Sequence, residues 1–264
     1  MAEKKKIASF RRLVWDFYKK NKRSFPWRET ADPYKILVSE IMLQQTQADR
    51  VVTFYERWLK RFPDFKALTS AKFSDIYPFW QGLGYNRRAL NLQRAAEYIA
   101  KNGWPGNLED LPGVGPYTAK AVAIFSHNRP LTCIETNIRR VFIHHFFEDA
   151  EMVGDEEILP LLELALPIKK SREWHWALMD YGAHLKSQVK NPNRRAKNYA
   201  VQPKFEGSLR EIRGAVLRNL MEKKMTAAQL VKVIGKDTRK TKIIILALTK
   251  EGLIKQHKKS YSLN

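Results

Sequence analysis

Apolar residues return every three to four positions along most of the chain and rarely alternate, so the elements they predict are helices. Ile7, Phe10, Leu13, Val14, Phe17 and Tyr18 mark a basic amphipathic helix within residues 1–23. A second helix starts at Pro33, with Asp32 as its N-cap and Ile36, Leu37, Ile41 and Leu43 as its buried stripe. Residues 47–62 and 71–80 read as further helices, and another follows the Gly82–Gly84 turn. Residues 148–166 are acidic and helical, with a break near Pro160 and a stop at Pro167. Trp176, Met179 and Ala183 keep helical spacing, and Asp180 shares their neighbourhood. Residues 186–206 are polar, basic and interrupted by two prolines, as a linker or an ordered strap would be. Three amphipathic helices follow, the second with Thr226 as N-cap and Gly235 as stop, and then the alternating tail IKQHKKSYSLN. Three helices and a hairpin wing predict a winged helix-turn-helix over 207–264. A partner-binding or merely stabilising tail domain is the plainer alternative.

Composition narrows the classes. A chain of 264 residues can bury a good core in one or two domains. Its one cysteine, Cys133, excludes a disulfide framework, a four-cysteine zinc site and a four-cysteine iron–sulfur cluster. No stretch is apolar enough to span a membrane, and the Lys-rich start lacks a signal-peptide core, so an intracellular protein is expected, in cytoplasm or nucleoid. The net charge of +21 is uneven: residues 1–23 carry +7, residues 24–185 carry −1 and residues 186–264 carry +15. A near-neutral middle between basic flanks suits a reaction module held on a polyanion, with nucleic acid as the leading candidate.

Candidate chemistry centres on LPGVGPYTAKAVAIFSHNRPLTCIETNIRR, residues 111–140. Gly113 and Gly115 form a tight turn before Pro116, which suits the first position of a helix. Backbone N–H groups in such a turn, next to a helix N-terminus, grip phosphate. Glu135 follows about twenty residues later, as a carboxylate for nucleotide chemistry would; a plain turn and a surface acid is the other reading. Glu40 falls on the apolar stripe of its helix, where burial would raise its pKa toward that of a general acid, unless an arginine pairs with it. Gln44, Gln45, Thr46 and Gln47 follow as a cluster of uncharged hydrogen-bonding groups, fit to read base edges or to end a helix in solvent. Tyr85 beside Arg87 and Arg88 fits a phosphate or stacking contact.

The stretches FPWR (25–28), DPYKILVSEIMLQQTQ (32–47), GLGYNRRALNL (82–92), LPGVGPYTAKAV (111–122), IETNIRRV (134–141) and ALMDYGA (177–183) together resemble the helix-hairpin-helix base-excision DNA glycosylases, and the SEIMLQQT form is most similar to the adenine glycosylases of the MutY type. The resemblance covers most of residues 20–185. It implies a two-lobed all-α glycosylase domain over 1–185, and the residue pattern adds the basic strap 186–206 and the winged-helix-like DNA-binding domain 207–264. It implies excision of mispaired adenine, opposite 8-oxoguanine or guanine, from double-stranded DNA; the protein is expected to act as a monomer with no metal or organic cofactor.

Roles carry over by position. Glu40 matches the general acid that protonates the adenine leaving group. Glu135 matches the carboxylate that stabilises the oxocarbenium-like sugar, and two carboxylates flanking a glycosidic bond suit that chemistry. Tyr117 and Asn137 match catalytic-site neighbours. Trp27, Arg28 and Asp180 match the lining of the adenine pocket, and Gln45 and Thr46 match residues that enter the duplex at the lesion. Gly113, Val114 and Gly115 match the phosphate clamp. Tyr117 stands where related glycosylase–lyases carry a Schiff-base lysine, which implies a monofunctional enzyme; Lys120 lies one turn further. Four features depart from the pattern. Glu135 replaces Asp, and its extra methylene requires the backbone to retreat by about an ångström or slows the reaction. The four cluster cysteines are absent, the Nudix-like domain is replaced, and Asn86 stands where a second aromatic is common. The rivals are a T·G mismatch glycosylase on the same scaffold and a non-catalytic DNA-structure binder.

Overall fold

The computed structural model describes residues 2–264. They form two compact units: the residues up to Leu37 with Gly115–Val201, and Val38–Val114 with Gln202–Asn264. The fold is helical, with one small sheet near the C-terminus. No described helix is long and apolar enough to cross a membrane.

The chain opens the first unit with α1 (Ala2–Asn21) and enters the second within α2 (Pro33–Leu43). Asp32 caps α2 as expected, its Oδ1 accepting the N–H of Tyr34 at 2.8 Å. The stripe expected on α2 is in fact continuous: Ile36 through Met42 are all buried, Ser39 and Glu40 included. Such a helix lies inside a core and has no solvent face. The second unit continues with α3 (Ala48–Arg61), the short α4 (Phe65–Thr69), α5 (Phe73–Trp80) and α6 (Arg87–Asn102). Trp58 packs on Phe62 and Trp80 at ring-centroid distances of 5.0 and 5.5 Å.

The first unit resumes with α7 (Pro116–His127), α8 (Thr136–Phe146), α9 (Asp155–Ala165) and α10 (Ser171–Gln188). Its core joins Ile7, Phe10 and Val14 of α1 to Val141 and Phe142 of α8, Ile158 and Leu162 of α9, and Trp174 and Leu178 of α10. Leu13, expected on the α1 stripe, is 43% exposed. The break expected at Pro160 does not occur, and α9 runs through it. Burial of Ile158 on one side of the proline and of Leu162 and Ala165 on the other holds the helix straight enough to offset the lost hydrogen bond.

The second unit closes with α11 (Leu209–Glu222), β1 (Met225–Thr226), α12 (Ala227–Ile234), α13 (Thr238–Glu251), β2 (Ile254–His257) and β3 (Ser260–Leu263). Both strand pairs are antiparallel, in the order β1–β3–β2. Thr226 caps α12 by accepting the N–H of Gln229, and Gly235 ends it at φ +61°, a conformation glycine adopts without strain. Three helices and a wing thus form in the order the pattern predicts. The backbone N–H of Ser74 donates to the carbonyl of Asn264, and Arg94 donates to the carbonyl of Glu251, fastening this part to α5 and α6.

His175 is fully buried on α10 and donates from Nδ1 to the Ser171 carbonyl at 2.7 Å. Burial pushes its pKa down to about 4, from an unfolded value of 6.5. Between those values the unfolded chain binds the proton more tightly, so this stability is complete above pH 6.5 and is lost as pH falls toward 4. Urea unfolding at stepped pH is expected to show a loss of about 3 kcal/mol over that window from this residue. His175→Leu should flatten the profile there; an unchanged slope would remove His175 as its source.

Candidate active site

In the first unit, Glu135 is the N-cap of α8. Its Oε1 accepts the backbone N–H groups of Asn137 and Ile138 at 2.7 and 2.8 Å, and its Oε2 accepts from Asn137 Nδ2 at 3.1 Å. Asp or Ser is the more usual cap; the extra methylene of Glu135 lets the carboxylate curl onto the helix end. Burial raises its pKa, against the opposing pull of those two N–H groups and of Arg140 and Arg139. Arg139 is itself held by Asp155, at 2.6 and 2.7 Å.

Asn137 is fixed from behind. Arg140 donates to Asn137 Oδ1 at 2.6 Å and to the carbonyl of Gly182 at 2.7 Å, which turns the Asn137 amide N–H toward Glu135. Gly182 on α10 makes this possible. A Cβ at that position would lie 2.3 Å from the Asn137 carbonyl oxygen and 2.7 Å from its Cβ. The unit therefore brings together Glu135 and Asn137, as expected. It adds two residues that the sequence did not single out, Arg140 and Gly182, although both lie inside the motifs IETNIRRV and ALMDYGA.

Arg28 and Asp180 also meet, but not as an open pocket. Asp180 is 2% exposed. It accepts Arg28 Nη1 and Nη2 at 2.8 and 2.9 Å, Arg23 Nε at 2.7 Å and the Arg23 N–H at 3.0 Å. A carboxylate offers about four lone-pair sites, so all are taken. Asp180, matched to the lining of the base pocket, is thus saturated by Arg23 and Arg28. Arg23 carried no signal in the sequence beyond its charge. Trp27 is buried and stacks on Phe25 at 4.9 Å, with the rings 6° from parallel. Tyr117 is half-buried on α7, Lys120 is exposed, and Gly115 is exposed at the start of that helix.

In the second unit, Glu40 is 6% exposed on α2. The turn after it bends at Gln45, which is exposed with φ +58°. Thr46 Oγ1 donates to the Gln44 carbonyl. Arg88, expected at a phosphate, is buried instead. It donates to the carbonyls of Ile41, Met42, Gln44, Leu83 and Gly84, tying the turn after α2 to the turn before α6. Five carbonyl partners keep it charged in place, although burial pushes its pKa down to about 10. Its guanidinium is committed within the fold, which corrects the phosphate role. Arg87 is exposed. Tyr85 is 40% exposed at φ +46°, and its hydroxyl accepts from Gln202 and Arg210.

The hairpin turn is also refined. The N–H of Val114 donates to the Leu111 carbonyl at 3.1 Å and its side chain is buried, so Val114 anchors the turn and is corrected as a phosphate donor. Gly113 is exposed at φ +82°, with Asn91 so close that a Cβ would approach it to 2.7 Å.

The donor set does not fit an iron–sulfur cluster. The sequence has one cysteine, and it is buried at position 133. The segment after α10 is held instead by side chains: Arg195 donates to the carbonyls of Phe147, Glu148 and Ala150, and Asn193 donates to that of Thr136. The backbone of Val153 exchanges hydrogen bonds with Arg195 and Lys197.

Comparison with known proteins supplies the class. Residues 38–163 match the model of the HhH-GPD superfamily base excision DNA repair proteins. The chain is 30% identical over 276 residues to an adenine DNA glycosylase of Mycolicibacterium smegmatis, covering 92% of this chain and 91% of that protein. It is 37% identical over 181 residues to an adenine DNA glycosylase of Mycobacterium tuberculosis, covering 65% of this chain and 59% of that one. It spans about half to three-fifths of several of the curated relatives it matches. A solved thermostable thymine-DNA glycosylase superposes with a TM-score of 0.65 at 28% identity, covering 74% of this chain and 94% of that one. An endonuclease III–DNA complex shares the fold, with a TM-score of 0.59 at 17% identity over 69% of this chain and 86% of that one. The chain belongs to the HhH-GPD superfamily of base excision DNA repair proteins.

The α8–α10 contact makes a direct prediction. Gly182→Ala forces backbone apart and should cost about 1–3 kcal/mol. Gly214→Ala, inside α11, meets only the flexible end of Arg218 at 3.3 Å and should gain up to about 1 kcal/mol. Thermal melts of the two variants should move in opposite directions.

Proposed function

We propose that this protein is a monofunctional DNA glycosylase that removes mispaired adenine, opposite 8-oxoguanine or guanine, from double-stranded DNA and acts as a monomer without metal or organic cofactor. The observation that carries this reading is Glu135, a carboxylate with both oxygens fixed by Asn137 and the α8 terminus. The near full-length similarity to a protein named adenine DNA glycosylase supports the substrate.

The mechanism rests on the chemistry of two carboxylic groups. The adenine must leave the base stack to be reached. Glu40, buried on α2, delivers a proton to the departing base. As the C1′–N9 bond lengthens, positive charge grows on the sugar. Glu135, ionised, faces that charge; Oε2 holds one hydrogen bond and keeps a lone pair for it. Asn137, set by Arg140, keeps the carboxylate from turning away. Water completes hydrolysis at C1′ and leaves an abasic site. Tyr117 forms no imine, so the strand stays intact. The +15 charge of residues 186–264 supplies attraction to the phosphate backbone.

Single-turnover cleavage of duplexes carrying A·8-oxoG, A·G, A·C, A·T or T·G tests the reading. Breakage is expected only after hot alkali and only with mispaired adenine, and borohydride should trap no covalent complex. The fold similarity to a thymine-DNA glycosylase makes T·G the informative control, because its cleavage would overturn the substrate. Glu40→Gln should abolish excision while mismatched duplex still binds. Because burial raises the Glu135 pKa, the rate should fall with decreasing pH at values above the ordinary carboxylate range. An acid limb at or below the usual 4.5 would contradict an ionised, buried Glu135 in the rate-limiting step.

A further inference from the structure

The strap after α10 is bonded to the chain at both ends of α8. Beyond the C-terminal end, Arg195 donates to the carbonyls of Phe147, Glu148 and Ala150. At the N-terminal end, Asn193 Nδ2 donates to the carbonyl of Thr136, the first residue of α8, at 2.9 Å. Asn193 sits in the short turn Pro192–Arg195, where Asn191 Oδ1 accepts its backbone N–H at 3.2 Å. The chemistry described above makes no use of it.

The Thr136 carbonyl and the Asn137 N–H are the two ends of one peptide group. That group is planar, so fixing the direction of its C=O fixes the direction of its N–H. The Asn137 N–H is the donor that Glu135 Oε1 accepts at 2.7 Å. A line of hydrogen bonds therefore runs from Asn193, through one peptide plane, to the carboxylate. Donation to the carbonyl polarises the amide and strengthens the bond its N–H makes in turn. A helical carbonyl gives one lone pair to the helix and keeps a second, which is the one open to Asn193.

Packing alone does not account for an asparagine here. Asn193 is 3% exposed, and its Oδ1 has no hydrogen-bond partner. A buried, unpaired carbonyl destabilises a fold, and a leucine of similar shape would avoid that cost. The N–H that reaches Thr136 is what the amide contributes.

We propose that Asn193 is a positioning residue: through the Thr136–Asn137 peptide it holds the Glu135 carboxylate in its reacting orientation, and the rest of the strap holds Asn193. Its effect on rate rests on the glycosylase reading; its effect on the Asn137 N–H does not.

The test compares full-length Asn193→Leu and Asn193→Asp with the unmodified protein in single-turnover adenine excision from an A·G duplex, at saturating protein and across a pH series. Asn193→Leu fills the space without a donor. Excision should slow by about tenfold or more while duplex affinity stays within about threefold. The Asn137 N–H lowers the Glu135 pKa, so weakening it should move the acid limb of the rate to higher pH. Arg139 and Arg140, the charges that act on Glu135, are left in place. The ratio of Asn193→Leu to parent rate should therefore rise with pH. Asn193→Asp can donate to the Thr136 carbonyl only while protonated, so its ratio should fall as pH rises. Amide hydrogen exchange reads the same link without turnover. In Asn193→Leu, exchange at Asn137 should quicken by about tenfold, while that of Ile143, later in α8, keeps its rate. Melting curves that match the parent show that the variants fold.

An Asn193→Leu rate within about threefold of the parent would overturn the proposal. So would a slower rate with an unshifted acid limb and unchanged exchange at Asn137, which is what a merely structural residue gives. A loss of duplex affinity equal to the loss of rate would place Asn193 at the DNA instead. If the unmodified protein excises no adenine, the glycosylase reading fails, and exchange at Asn137 still decides whether Asn193 steadies the donor to Glu135.

Discussion

The close approach of α8 and α10 is the constraint on which the first unit depends. Two helices meet with backbone against backbone only where one of them lacks a side chain, and Gly182 is that place. The approach sets the Gly182 carbonyl within reach of Arg140, and Arg140 in turn fixes Asn137. Asn137 and the free N–H groups at the start of α8 fix Glu135. Each of these links is short and charge-assisted or backbone-made, so the carboxylate has little freedom to wander. A reacting group displaced by an ångström loses orders of magnitude in rate. A glycine on a neighbouring helix therefore sets the position of the Glu135 carboxylate.

Arginines recur as the means of holding segments together. Arg88 gathers five carbonyls, Arg195 gathers three at one nitrogen, and Arg28 joins Arg23 on Asp180. A guanidinium presents five N–H donors in a rigid fork, so one side chain can satisfy a bend whose carbonyls have no helical partner. Desolvation is costly for such a charge, which is why burial depresses the Arg88 and Arg140 pKa values. These residues contribute definition of shape as much as stability.

That use of arginine explains much of what was and was not legible in the sequence. Helices were legible because apolar spacing is a local property, and the caps Asp32, Thr226 and Gly235 could be read one by one. The full burial of α2 was not, because periodicity reports contrast between faces and a helix buried all round has none. Pro160 was read by its local cost, which burial on both sides outweighs. The meeting of Glu135 with Asn137 was legible because both lie in one short motif at a helix start. Arg88, Asp180 and Val114 were assigned to ligand contact because charge and position are visible in a sequence, whereas the partners that already occupy them are not. Arg140, Gly182 and Asn193 went unmarked for the same reason: their roles exist only between segments distant in the chain.

The segment after α10 is fastened by hydrogen bonds. Its anchors are one arginine, one asparagine and a short parallel bridge between Val153 and Ala196. Anchors of that kind form from the chain's own donors and acceptors as it folds. Each of the side-chain anchors ends on a backbone carbonyl, so replacing the side chains at 136, 147, 148 or 150 leaves the acceptors in place.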